Sequence, residues 1–178
     1  MYKSKLQRGF TLIELIVVVG IIGLLATIVL VATSESREKG RNSTRISQIQ
    51  EYRKAFELYY SEAGNYPVYG AGASAVMCLG DYDDNRCWTN GTGVAERPAI
   101  ASALVENEYM PHIPVGESTW FGQGGSNTFE GMTYRFNDYG RSYTLQYFME
   151  GNDQDCVLQG ATGANTGDDT LCTFNFSP

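Results

Sequence analysis

The chain has 178 residues, enough for one membrane or targeting element and one globular domain but not for a second full domain. Its net charge is -7, and Lys3, Lys5 and Arg8 are the only charges in the first nine residues, so residues 10–178 carry -10. No broad cationic surface is available to neutralise phosphates, which disfavours generic nucleic-acid binding by the folded body. Glycine (20) and tyrosine (12) lie mostly beyond the first third, a composition that suits a loop-rich domain with tyrosine-bearing strands rather than a helical bundle.

From Phe10 to Thr33 only Glu14 is charged. At 1.5 Å per residue a helix of this length crosses the ~30 Å hydrocarbon core. A carboxylate inside such a run costs roughly 2.5–3.5 kcal/mol even on lenient insertion scales, so by default Glu14 has a partner or a role. The basic residues before the run place the N-terminus in the cytoplasm. An ordinary secretory signal peptide fits poorly, because the apolar core is too long and Leu30-Val31-Ala32 is a weak substitute for a cleavage site.

The stretch KLQRGFTLIELIVVVGIIGLLATIVL resembles the N-terminal signature of the type IV pilin and pseudopilin family: a short basic leader ending in glycine, then phenylalanine, then an acid four residues on, then an apolar helix. The resemblance implies that a membrane-embedded prepilin peptidase cuts between Gly9 and Phe10, that the new amine of Phe10 is methylated, and that the apolar helix is kept. It also gives Glu14 a role in subunit assembly. The carboxylate of one subunit meets the freed amine of a neighbour in apolar surroundings, where a lone charge is costly and a close pair largely cancels, so one axial register is rewarded. Many relatives carry a proline about two-thirds along the helix; here the corresponding TIVLVATS has none, and Gly20 and Gly23 are the weak points.

After Thr33 the sequence turns polar. Ile46, Ile49, Tyr52 or Arg53, Phe56, Tyr59 and Tyr60 recur at three-to-four spacing, the apolar stripe of an amphipathic continuation of the helix. Gly40 is a possible bend, Gly64 a C-terminal stop, and Asn65-Tyr66-Pro67 an extended exit that also resembles the family. A short helix is predicted from about Pro98 to Tyr109, with Ile100, Leu104 and Val105 facing the core. The segment MTYRFNDYGRSYTLQYFME predicts a β-hairpin, Met132–Phe136 and Tyr143–Met149 around a turn at 137–141. Its tyrosines are read as packing on the long helix rather than as a stacking platform for sugar or nucleic acid.

Four cysteines, Cys78, Cys87, Cys156 and Cys172, follow the apolar run, and the even count predicts disulfides in an oxidising compartment, with Cys78–Cys87 and Cys156–Cys172 as the local pairings. Zinc is disfavoured by the lack of CxxC spacing and by a single histidine, His112, in a proline-flanked loop. The glycine-rich tail 156–172 is expected as an excursion after which Phe174 and Phe176 rejoin the sheet edge; a disulfide-bounded C-terminal region of this kind is surface-exposed in type IV pilins.

Two acidic groups invite a calcium reading. DYDDN (81–85) fails the EF-hand pattern at Arg86 and Thr92, whereas Asp153, Asp155, Asp168 and Asp169 converge if the tail folds back, with no ligand fixed by any motif. FGQGGSN lacks the lysine of a phosphate-binding loop and is expected as a surface loop, and no nucleophile–base or catalytic carboxylate arrangement is evident, so no enzymatic activity is expected. The sequons at Asn42, Asn90 and Asn175 need nothing beyond chance.

The expected fold is α+β and pilin-like: a leader (1–9), a membrane-spanning or filament-core helix (10–33), its amphipathic continuation (34–64), and a head (65–178) with a small antiparallel sheet and disulfide-bounded loops. The expected function is that of a structural subunit of a type IV pilus-like filament. The chain would sit in the inner membrane as a single pass before forming an extracellular or periplasmic fibre, with prepilin peptidase and an assembly platform and motor as partners. The rival readings are a pseudopilin of a type II secretion system and a membrane-anchored carbohydrate- or DNA-binding module.

Overall fold

A computed structural model describes residues 10–70, 72–80, 86–89, 93–95, 98–114, 121–123, 127–129 and 132–178. The chain divides into two compact units, Met1–Gly40 and Arg41–Pro178. One helix, α1 (Leu12–Ala63), runs through both. No proline interrupts it, and its Leu, Ala, Glu, Lys and Arg residues favour helix while Gly20, Gly23, Gly40 and the β-branched Ile and Val residues are weaker formers. It stops at Gly64, whose φ of 73° and N–H bond to the Tyr60 carbonyl at 2.9 Å form a left-handed cap.

Among the described side chains of the first unit, the helix buries none of its large apolar residues. Leu12, Ile13, Leu15, Ile16 and Val17 are all more than half exposed, and so are Ile21, Ile22, Leu24, Leu25 and Ile28. In the second unit the periodicity is used differently. Ile49, Tyr52 and Phe56 are buried, with Ile46, Tyr59 and Tyr60 partly buried beside them, as the three-to-four spacing predicts.

These side chains meet a five-stranded antiparallel sheet of order β1-β6-β7-β9-β8. Its strands are β1 (Ala75–Leu79), β6 (Met132–Asn137), β7 (Ser142–Glu150), β8 (Thr162–Thr166) and β9 (Asp169–Phe176). A second sheet has the order β3-β2-β5-β4, from β2 (Arg86–Thr89), β3 (Gly93–Ala95), β4 (Phe121–Gln123) and β5 (Asn127–Phe129). In the expected surface loop FGQGGSN, Phe121–Gln123 and Asn127 are strand, with Phe121 opposite Phe129 and Gln123 opposite Asn127, and residues 124–126 lie outside the described residues. The segment 81–85 lies outside the described residues.

The tail is also more regular than expected. Gly167 has φ 68° while Asp168 stays at negative φ, the signature of a type II′ turn, so β8 and β9 form a tight hairpin. The strand carrying Phe174 and Phe176 does not rejoin an edge: β9 lies inside the sheet, between β7 and β8. Alternation explains why, since Thr170, Cys172 and Phe174 are all buried on one face.

The hairpin of β6 and β7 keeps its expected place, with Phe136 opposite Tyr143. Its tyrosines are core: Tyr134, Tyr143 and Tyr147 are buried together with Tyr66, and Phe56 approaches Tyr134 at 4.5 Å between ring centroids. The second helix, α2 (Pro98–Glu106), ends three residues before the expected Tyr109. The chain closes it with a Schellman arrangement, Glu108 N–H to the Val105 carbonyl and Tyr109 N–H to the Leu104 carbonyl, and Glu108 takes the left-handed position at φ 61°.

Candidate functional site

The N-terminal end of α1 is built around two side chains. Thr11 stands just before the first helical residue and Glu14 is the third residue inside the helix. The Thr11 amide donates to Glu14 Oε2 at 2.8 Å and the Thr11 hydroxyl donates to the same oxygen at 2.7 Å, while the Glu14 amide reaches Thr11 Oγ1 at 3.4 Å. This is a capping box, in which the carboxylate also sits at the positive end of the helix dipole. The signal T-x-x-E was readable in TLIE, and it gives Glu14 an intramolecular partner that the reading of Glu14 as an assembly residue alone overlooks.

The Thr27 hydroxyl donates to the Leu24 carbonyl at 2.7 Å, leaving an apolar surface with no unmet hydroxyl at that position. Phe10, two residues before the helix, is 86% exposed. By length and composition α1 is able to cross a membrane. Gly9, the expected cleavage residue, lies outside the described residues.

In the second unit a polar cluster fixes α1 to the end of β7. Arg41 Nε donates to Glu150 Oε1 at 2.6 Å, a second Arg41 nitrogen pairs with Oε2, and Arg45 reaches Oε1 at 2.9 Å. Burial alone pushes the Glu150 carboxyl up, but the Arg41 hydrogen bond and the charge and hydrogen bond of Arg45 outweigh it and hold it below its ordinary value. Asp169, opposite Glu150 in the register, moves the other way, raised chiefly by burial. No sequence pattern links residues so far apart, so this cluster was not foreseeable.

Cys156 and Cys172 form a disulfide, and Cys78 is also disulfide-bonded. The side chain of Cys87 lies outside the described residues. Three of the four acids considered for calcium bond within the loop: Asp153 Oδ1 accepts from Asn165 at 2.8 Å, Asp155 Oδ1 from the Val157 amide at 3.0 Å, and Asp169 Oδ1 from the Gly151 amide at 3.2 Å, while Asp168 is exposed. Among the described residues no three His, Cys, Asp or Glu side chains gather to hold a cation. His112 is exposed. Burial pushes the hydroxyls of Tyr66, Tyr134 and Tyr143 up and that of Tyr147 up to about 12, so these tyrosines stay neutral and structural.

Residues 4–30 match the family model described as the prokaryotic N-terminal methylation motif. This is the amino-terminal motif of the type IV pilin and pseudopilin family. The α+β fold is pilin-like. Similar proteins include a fimbrial protein of Neisseria meningitidis serogroup A, 33% identical over 108 residues, which are 59% of this chain and 62% of that one. Type II secretion system core protein G of Escherichia coli K12 is 34% identical over 71 residues, 40% of this chain and 49% of that one. Fimbrial protein EcpC of Eikenella corrodens is 38% identical over 76 residues, 43% of this chain and 50% of that one. The chain thus spans about half to three-fifths of the length of these relatives. No solved structure matches the chain.

Proposed function

We propose that this chain is a structural subunit of a type IV pilus-like filament, cut between Gly9 and Phe10, methylated at the Phe10 amine and assembled through residues 10–33. The observation that carries this reading is the start of α1, whose described large apolar side chains up to Ile28 are exposed and end at one capped carboxylate. Such a surface is stable only against lipid or against other apolar helices. Before assembly, lipid of the inner membrane covers it, with the N-terminus on the cytoplasmic side. In the fibre, neighbouring copies cover it.

The exchange is nearly neutral in hydrophobic terms, since burial in protein replaces burial in lipid. Extraction therefore requires an assembly platform and motor, and register requires a directional contact. Glu14 supplies it. Its carboxylate is already aimed at the amide and hydroxyl of Thr11, and the ammonium created at Phe10 of a neighbouring copy adds a full charge in surroundings where the pair is stronger than in water.

The pseudopilin reading keeps the same processing and the same helix, with a short periplasmic fibre of a type II secretion machine as the product. It is favoured by the match to secretion core protein G at the same level of identity. The pilus reading is favoured by the longer match to the meningococcal fimbrial protein. A structural rather than catalytic role follows from either.

The experiment is to replace Gly9 with isoleucine and, separately, Glu14 with alanine, and to measure N-terminal mass in membranes and in sheared surface material. Gly9→Ile should leave the chain beginning at Met1, and Glu14→Ala should give processed chain in the membrane with little in fibres. Fibres in normal amount from both variants reject the proposal.

A further inference from the structure

The five-stranded sheet has two outer strands, β1 and β8. β1 lies beside β2 and β3 of the second sheet, whereas β8 pairs with β9 alone. The two-residue turn at Gly167 and Asp168 fixes which backbone groups β8 spends on that pairing. Thr166 opposite Asp169, Ala164 opposite Leu171 and Thr162 opposite Thr173 are the hydrogen-bonded pairs. The N–H and C=O of Gly163 and Asn165 therefore point away from the sheet, and among the described residues no backbone group bonds them.

This edge is unguarded. Outer strands ordinarily carry a lysine, a proline, a bulge or an inward-pointing charge that blocks a further strand. β8 reads TGANT, keeps one register with β9 throughout and is exposed from Thr162 to Asn165. It is also held in place. The Asp153 amide donates to Asn165 Oδ1 and Asn165 Nδ2 donates to Asp153 Oδ1, both at 2.8 Å, while the Cys156–Cys172 disulfide ties down the neighbouring β9. An edge ordered in advance gives up little freedom when a strand joins it.

Charge selects the strand that joins. A polar cleft of about 490 Å³ opens beside the edge, and Asp153, Asp155, Gly163 and Asn165 are among its walls. The two acids are two residues apart and both are exposed. Each uses Oδ1 within the loop, and among the described residues neither Oδ2 accepts a hydrogen bond. An added strand with cations at every second position sets them on one side, at the spacing of these two carboxylates. We propose that the free edge of β8 takes an extended basic segment of another exported protein as a sixth strand.

This chain does not supply that segment. Residues 41–178 hold eight Lys and Arg, and no two of them are two residues apart. Main-chain bonds to Gly163 and Asn165 would give the affinity, and the acids beside them the preference for cations. The inference needs the exported head and not the fibre, so it stands apart from the filament reading.

The test uses the full-length chain dispersed in zwitterionic detergent, with its backbone amides followed by NMR as a nine-residue peptide of alternating lysine and threonine is added. The Gly163 and Asn165 amides should shift and exchange more slowly with solvent, while Ala164, already bonded to β9, should hardly change. A peptide of alternating glutamate and threonine should leave all three unmoved. Replacing Asp153 and Asp155 together with asparagine should weaken binding of the lysine peptide about fivefold, the range of two exposed ion pairs. A lysine peptide that leaves Gly163 and Asn165 unprotected overturns the sixth strand, even where it binds to the acids. Equal binding of the glutamate peptide overturns the preference for cations. Shifts at these two amides that follow chain concentration without any peptide overturn the proposal in favour of pairing between copies. Each of these results leaves the filament reading where it was, because no fibre is present in the sample.

Discussion

Asn42 holds the backbone of Glu150 from both sides: its Nδ2 donates to the Glu150 carbonyl at 2.9 Å and its Oδ1 accepts from the Glu150 amide at 2.9 Å. The same Oδ1 accepts from Arg45 at 3.1 Å. In the sequence Asn42 begins a sequon, Asn-Ser-Thr, yet the fold buries it and occupies the nitrogen that a glycan would require.

Replacing Asn42 with alanine should therefore destabilise the head strongly, because two half-buried backbone groups lose their partners at a cost of about 1–3 kcal/mol each. Asn42→Asp keeps the acceptor and loses the donor, and it should fall between the two. Thermal unfolding of the detergent-solubilised chain, followed by near-ultraviolet circular dichroism, orders the three proteins. An alanine variant as stable as the parent would mean that the clasp contributes nothing.

Glu150 itself predicts a pH dependence. Its folded carboxyl lies below the ordinary value of 4.5, so the stability it adds is complete above that value and disappears as pH falls through the folded value. Asp169 has the opposite sign: its folded carboxyl lies above 3.8, so its contribution is complete below that value and is lost as pH rises. Comparing Glu150→Gln with the parent keeps the burial that chiefly raises Asp169 in both proteins and removes the smaller part that the Glu150 charge adds. The variant should be less stable by roughly 1.5–3 kcal/mol at pH 7, the range for hydrogen bonds to charged groups, and the gap should close in acid. A gap that stays constant from pH 7 to pH 3 would show that Glu150 acts by shape rather than charge.

Much of this fold is legible in order of sequence distance. The apolar run, the stripe from Ile46 to Tyr60 and the β6–β7 hairpin are local patterns, because period and hydropathy encode which face is buried. The β8–β9 hairpin was missed although TLCTFNF alternates well, since the many glycines before it read as loop and only the Gly167-Asp168 turn makes them a strand. Thr11 escapes the sequence reading for a different reason: the resemblance assigns the acid three residues on to a contact with another copy, and one carboxylate can serve both. The Arg41, Arg45 and Glu150 cluster joins residues more than a hundred positions apart, which no single-sequence pattern encodes.

Gly140 offers a cleaner backbone test. Asp138, Tyr139 and Gly140 take φ values of 47°, 54° and 83°, three left-handed residues in a row between β6 and β7. A Cβ at Gly140 would stand 2.6 Å from the Tyr66 carbonyl oxygen and 2.7 Å from a Val68 methyl, and the Tyr66 amide bonds the Gly140 carbonyl at 2.8 Å. Gly70 has a similar φ, 78°, but nothing within 4 Å of its Cβ position. Gly70→Ala should cost roughly 1–2 kcal/mol from conformation alone, and Gly140→Ala distinctly more, because backbone must move. Equal losses in urea titrations of the two variants would show that the exit segment yields freely.

The last prediction separates the two partners of Glu14. Thr11→Val removes the hydroxyl that the carboxylate binds while keeping the branched shape, and Glu14→Gln keeps a side chain able to reach the Thr11 amide while removing the charge. Loss of an N-cap costs about 1 kcal/mol, so hydrogen exchange of the first-turn amides in the membrane-bound chain should quicken about fivefold in Thr11→Val. It should change little in Glu14→Gln. Fibre yield should show the reverse order, nearly normal for Thr11→Val, whose carboxylate is free for a neighbour's amine, and low for Glu14→Gln, which offers no charge to it. If instead Glu14→Gln assembles as well as the parent, the cap is all that Glu14 provides and register must come from the head.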